Sequence, residues 1–397
     1  MLLRMFMDPF APLARQLCTA TLKKCADGRL VITEAGKSHE FGLSQEPSAN
    51  IQLHASRFWR RAVLGGDIGF AESYIDGDWS SDDLSAVVEF FARNIKNLGA
   101  KPAAHPLRAM AHRGLHAWRD NSRRGSRSNI MAHYDLGNEF YEIWLDPSMT
   151  YSSAFYDGAD NLSMAQAQKY KRLTEIMALE RGKHVLEVGC GWGGFAKFAA
   201  TQIGAKVTAI TISPSQYEFA AKRIQQEGLG EKIDLRLVDY RDLDGTYDAV
   251  ASIEMFEAVG ERYWPVYFSS LQNRLKPGGR AGLQIITIRD EFFSSYRKSV
   301  DFIQRHVFPG GMLPSISSLK NEVERAGLSW HETYGFGLDY ARTLAEWRLN
   351  FNQHWDDVAK LGFDARFQRF WNYYLSYCEG GFRAGNIDVH QIGLQKV

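Results

Sequence analysis

Between residues 184 and 196 the chain reads HVLEVGCGWGGFA, an apolar run followed by an acid, Glu187, and by Gly189, Gly191 and Gly193. Glycine reaches φ > 0 at little steric cost and leaves bare backbone for a ligand to lie against. This spacing therefore suits a nucleoside seated on a tight strand-to-helix turn. Two features separate it from the dinucleotide fingerprint G-x-G-x-x-G: the last glycine comes one residue early, and an acid precedes the first. A pyrophosphate is held by helix-end amides away from carboxylates, whereas Glu187 is suited to an ammonium group. Downstream, Thr211, Ser213 and Gln216 form a T-x-S-x-x-Q run whose hydroxyl and amide groups can bond ribose hydroxyls. Asp239 and Tyr240 are placed to bond and cover an adenine edge. Ser213, followed by Pro214, also reads as a helix N-cap.

These residues need a scaffold that gathers the ends of several strands. Residues 184–188 read as a short buried strand and 195–200 open a helix. Residues 206–212, 233–238, 247–252 and 280–288 read as further strands, with helices after Ser213 and over 263–275, the second ending at LKPGG. Aromatic-rich helices are predicted at 344–361 and 365–378, and a last strand at 390–395. The alternation predicts an α/β fold with a mostly parallel sheet covered on both faces. Its ligand should lie beyond the carboxyl ends of the strands, where the strand order switches. On such a scaffold E-x-G-x-G-x-G resembles motif I of the class I methyltransferases. That implies a Rossmann-like, mostly parallel seven-stranded sheet with S-adenosylmethionine (SAM) as the ligand.

Residues 1–100 carry strand-like segments at 30–33 and 51–53 and a helical pattern at 84–97, without a cofactor signature. From 101 to 127, Lys101, Arg108, Arg113, Arg119, Arg123, Arg124 and Arg127 face one acid, Asp120, the composition of a linker or basic arm. The 397 residues carry a net charge of +1, so no global field selects nucleic acid. Cys18, Cys25, Cys190 and Cys378 lack the spacing of a disulfide framework or a metal site, which points to the cytoplasm. The N-terminal MLLRMFMDPFAPLARQL has no long apolar core, and no stretch reaches the length of a spanning helix. A membrane would be met from its surface.

The chain is similar to the cyclopropane fatty acid synthases, including the mycolic acid cyclopropane synthases. The motifs that carry the likeness are AHYDLGNEFYEIWLD at 132–146, TYSSAFY at 150–156, the glycine motif, ITISPSQ, VDYRDL, EMFEAVGERYW, FPGGMLPS at 308–315 and EGGFRAGNIDVHQ. The resemblance implies a SAM-dependent methyltransferase domain over 129–397, a basic linker over 101–128, and a smaller N-terminal accessory domain over 1–100, as in the phospholipid-modifying members. Tyr151 and Ser152 join the cofactor-binding set, and no metal is expected. The implied substrate is an unsaturated acyl chain of a membrane phospholipid, met by a peripheral enzyme at the inner membrane surface. A homodimer is compatible with this reading.

In that family the π electrons of a cis double bond attack a sulfonium methyl, leaving a carbocation that must lose a proton. Positioning, dryness and aromatic faces then carry the catalysis. Tyr151, Phe155, Phe256, Tyr263 and Tyr340, near the motifs, could supply such faces. The family removes the proton with a bicarbonate held by a Cys, a Glu, a His, a backbone amide and a Tyr. Carried over residue by residue, the Glu is Glu257, the amide is that of Ile288 and the Tyr is Tyr340, while Ser153 replaces the Cys and Ile286 the His. Ser153 keeps its amide and offers a hydroxyl, whereas Ile286 removes a polar contact. Glu257 then holds the anion with Tyr340, or is itself the base if desolvation raises its pKa. Proton loss from the new methyl closes a cyclopropane, and loss from the neighbouring chain carbon leaves a methyl-branched alkene. The alternative product is thus a methylated, unsaturated, furan-precursor chain. The rival readings are a methyltransferase for small molecules and a non-catalytic, SAM-binding scaffold at the membrane surface.

Overall fold

The computed structural model describes residues 8–99 and 136–397. The basic run at 101–127, and with it the expected linker, lies outside the described residues, as does the start of the AHYDLG motif.

The N-terminal layer is a four-stranded sheet in the order β2-β1-β3-β4, formed by β1 (Arg29–Glu34), β2 (Lys37–Phe41), β3 (Ser48–Leu53) and β4 (Trp79–Ser80). Ala35 and Gly36, both at positive φ, close the β1–β2 hairpin with a two-residue turn whose twist matches the strands. Alternate residues Leu30, Ile32, Ile51 and Leu53 point inward and are buried. Helix Arg57–Ile75 wraps this layer, and its Phe58, Phe70 and Tyr74 surround the fully buried ring of Trp79.

The larger sheet has seven strands: β5 (His184–Val188), β6 (Lys206–Thr211), β7 (Ile233–Leu237), β8 (Tyr247–Ile253), β9 (Leu275–Ile288), β10 (Leu328–Gly335) and β11 (Ile387–Lys396). Its order is β10-β11-β9-β8-β5-β6-β7, with β11 antiparallel to both neighbours and every other pair parallel. The chain runs outward from β5 to β7 and then returns to β8 on the other side of β5. The switch point therefore lies at the carboxyl end of β5, where the glycine loop begins.

Three local expectations change. The helix does end at LKPGG, as Trp264–Arg274, but the strand expected at 280–288 already begins at Leu275, within that motif. The predicted helix at 344–361 is two helices, Gly337–Gln353 and Trp355–Lys360, broken at His354. Strand β10 was hidden in SWHETYG, which is largely solvent-facing and lacks the apolar alternation that marks a half-buried strand.

One apolar cluster joins the N-terminal sheet, through helices Leu84–Arg93 and Ala365–Arg383, to β11 of the larger sheet at Val389, while the two faces of the larger sheet are packed in two further clusters. A Cβ on Gly380 would come within 2.7 Å of Val88 Cβ and 2.8 Å of the Glu89 amide nitrogen, so only glycine permits this helix contact. Beside it the fully buried Glu379 accepts a hydrogen bond from Ser85 Oγ at 2.6 Å and pairs with Arg348 at 3.2 Å and with Arg383.

Candidate active site

A cavity of about 1160 Å³ opens at the end of β5. It exceeds the usual range for a single small ligand and has room for a nucleoside and a chain together. Tyr151, Ser152, Glu187, Gly189, Gly191, Thr211, Gln216, Asp239 and Tyr240 all line it. Gly193 and Ser213 do not. Gly193 is the left-handed N-cap of helix Gly194–Phe198, and Ser213 caps helix Pro214–Gln226 by accepting from the Gln216 amide, so both act on backbone geometry.

The loop fits the sulfonium nucleoside expected from the sequence. One carboxylate oxygen of Glu187, Oε2, is buried without a hydrogen-bond partner, an acceptor waiting for a donor. Burial pushes the Glu187 carboxyl up to about 8. Gly189 sits at φ +82, and a Cβ there would meet Met255 Cγ at 2.7 Å, whereas Gly191 presents open backbone. Thr211 Oγ1 donates to Gln216 Oε1 at 3.0 Å, which leaves the Gln216 NH2 as the donor for a ribose hydroxyl. The Asp239 carboxylate is shared with Arg241 at 2.6 Å. An ammonium bound at Glu187 requires the ionised form. SAM binding at pH 7 is therefore expected to release a proton, measured by calorimetry in buffers of different ionisation enthalpy.

Beyond the loop the cavity passes Glu254, Glu257, Ile286, Ile288 and Tyr340. Glu257 Oε1 accepts from the Ile286 amide at 2.5 Å, while Oε2 is buried and unpartnered. Burial, with the negative charge of Glu254, raises the Glu257 carboxyl to about 8. Glu254 is differently placed. Its Oε1 accepts from the Ser153 amide at 2.8 Å and from Gln284 Nε2 at 2.7 Å, and its Oε2 accepts from Tyr340 OH at 2.6 Å. Gln284 is oriented because its Oε1 accepts from Gln391 at 3.1 Å. The fully buried Lys169 donates to Ser152 Oγ at 2.6 Å, and its charge favours an ionised Glu254. Burial lowers the Lys169 ammonium to about 7 and raises Glu254 above the usual carboxylate range.

These contacts correct the expected anion site. The Ser153 hydroxyl turns away to the Ala154 carbonyl at 2.9 Å, and its amide is held by Glu254. Tyr340 OH also goes to Glu254, and the Ile288 amide donates to the Pro314 carbonyl at 2.9 Å. The donors of Ser153, Tyr340 and Ile288 are thus all engaged, and with the Glu254 carboxylate among them these three residues do not fit a bicarbonate. Among the aromatic candidates, Tyr151 and Tyr340 line the cavity. Phe256 is core, stacked on Trp264, and Phe155 packs on Phe336. Glu254, Gln284 and Lys169 were missed by sequence reasoning. The only signal was a second acid three residues before Glu257 in the same motif.

The seven-stranded sheet, with a carboxylate-bearing glycine loop at its switch point, defines a class I SAM-dependent methyltransferase. Residues 121–392 match the family model described as mycolic acid cyclopropane synthetase, and the chain belongs to that family. It is 39% identical over 341 residues to the tuberculostearic acid methyltransferase UfaA1 of Mycobacterium tuberculosis, covering 84% of this chain and 79% of the relative. It is 34% identical over 348 residues to the cyclopropane-fatty-acyl-phospholipid synthase of Escherichia coli, covering 87% of each. The structure of mycolic acid cyclopropane synthase CmaA1, complexed with SAH and CTAB, aligns at a TM-score of 0.64 and 28% identity, covering 68% of this chain and 98% of that one.

Proposed function

We propose that this enzyme transfers a one-carbon unit from SAM to the cis double bond of an unsaturated phospholipid acyl chain, giving a cyclopropane or a methyl-branched chain. The observation that carries this reading is the continuity of the cavity. It runs from the glycine loop past Tyr340 into an apolar wall of Leu22, Phe58, Val63, Phe70 and Phe91 in the N-terminal layer. Such a wall takes an alkyl chain, and its dryness protects a cation from water. When bound, SAM supplies an electrophilic methyl. The protein orients the alkene, excludes water and accepts the proton that must leave.

The methyl-branched product is the reading we favour within this pair, because the proton acceptor is rearranged relative to the family pattern and a tuberculostearic acid methyltransferase is among the relatives. Mass spectrometry of phospholipid acyl chains, after expression in a host without such an enzyme, tests both levels. Unmodified chains refute the function, and cyclopropane chains alone refute the branched product.

The enzyme is proposed to work from the cytoplasm on the inner membrane surface, with residues 1–100 serving as a lipid-handling accessory unit. No helix among the described residues is long and apolar enough to cross a membrane. The basic composition of 101–127 suits anionic headgroups, at about 1 kcal/mol for each Lys or Arg near the surface. Binding to phosphatidylglycerol vesicles is expected to fall with salt and with Arg123→Ala and Arg124→Ala together, a loss of about 2 kcal/mol or some thirtyfold in affinity. Salt-insensitive sedimentation would refute this.

A further inference from the structure

Glu254 is not among the positions that the family pattern assigns to the base site, yet three donors from separate parts of the chain converge on its carboxylate. They are the Ser153 amide before helix Leu162–Ile176, Gln284 on β9 and Tyr340 on helix Gly337–Gln353. Two of these, Ser153 and Tyr340, are the groups expected to hold a bicarbonate. Resting on the proposed function, we infer that the Glu254 side chain stands in for that anion and is the base that takes the proton from the methylated acyl chain.

Position, charge and backbone support the assignment. Glu254 lines the cavity, and its neighbour Met255 packs on the glycine loop at Gly189, so the carboxylate lies next to the nucleoside seat. Of the two acids, Glu257 has one amide donor and an orphaned oxygen, whereas Glu254 has three donors and the ammonium of Lys169 nearby. When two carboxyls are pushed apart in this way, the one with more hydrogen-bond donors keeps the charge and serves as base. Burial raises its basicity above that of a carboxylate in water. Glu254 also sits at φ +48, a left-handed conformation that costs a non-glycine residue about 1–2 kcal/mol. A strained residue kept at the mouth of a cofactor loop points to function.

The step balances. The alkene pair forms the new C–C bond to the sulfonium methyl, and the C–S pair stays on sulfur. A C–H pair of the resulting cation then moves into the ring or double bond. The proton goes to Glu254, which becomes a neutral carboxyl and loses the proton to solvent after the product departs.

The test uses the full-length protein, SAM and vesicles of dioleoylphosphatidylglycerol, in buffer stripped of carbon dioxide. Wild-type turnover is expected to be the same with and without added bicarbonate. Glu254→Gln should lower kcat by about 10²–10⁴-fold while SAM affinity stays within about twofold. Glu254→Gly, which accepts the positive φ, leaves a gap framed by the three donors, and added formate or bicarbonate should restore part of its turnover. Wild-type turnover that requires bicarbonate, or undiminished kcat in Glu254→Gln, would overturn the assignment alone. A wild type inert on every unsaturated vesicle would overturn the proposed function and this inference with it. Should Glu254→Gln fail to fold, the wild-type bicarbonate comparison still decides.

Discussion

Glu187→Gln is expected to weaken SAM binding by roughly ten- to a hundredfold, the worth of a hydrogen bond to a charged partner at about 1.5–3 kcal/mol. The glutamine keeps the shape but not the charge, and Glu187 Oε2 has no protein partner that would be stranded. The same variant carries a signature in stability. In the cofactor-free protein the Glu187 carboxyl titrates near 8, against a usual value of 4.5. A carboxyl raised on folding stabilises most below its unfolded value, and that contribution is lost as pH climbs from about 4.5 through 8. Thermal unfolding of the cofactor-free wild type should therefore weaken over this window more steeply than that of Glu187→Gln. Calorimetric titration with SAM and melting at several pH values measure the two effects. An unchanged dissociation constant would remove Glu187 from the cofactor site.

The second large effect concerns the joint between the layers. Glu379→Ala removes the fully buried acceptor shared by Ser85, Arg348 and Arg383. Breaking a fully buried pair costs about 3–5 kcal/mol because the remaining charge is stranded. Here the two arginines keep 28% and 37% of their side-chain surface exposed, so water compensates them in part. The expected loss is about 2–3 kcal/mol, seen as a lower midpoint in denaturant unfolding with little change in slope. Ser85→Ala in the Glu379→Ala background should add almost nothing, since the two groups share one interaction. Full additivity would show that Ser85 and Glu379 act separately.

Much of the scaffold was legible because its signals are local. The short apolar run of β5, the glycines after it and the Ser213 cap with Pro214 each fix backbone geometry within a few residues. Strand β10 was not legible, because its place at the sheet edge beside β11 leaves most of its side chains in solvent. The break at His354 was equally silent, since the aromatic pattern continues across it.

The same division separates the glycine loop from the pair of carboxyls beside it. Sequence alone determined the glycine loop, the acid that precedes it and the α/β order that sets the loop at a switch point, because turn chemistry and periodicity act over short range. It pointed to Glu257 and passed over Glu254, three residues away and of the same chemistry. Tertiary structure sets the two apart by folding donors 101, 86 and 30 residues distant onto the Glu254 carboxylate and leaving Glu257 with a single amide. The acidity of a buried group is set by its neighbours in space, and those neighbours exist only after the chain has closed around them.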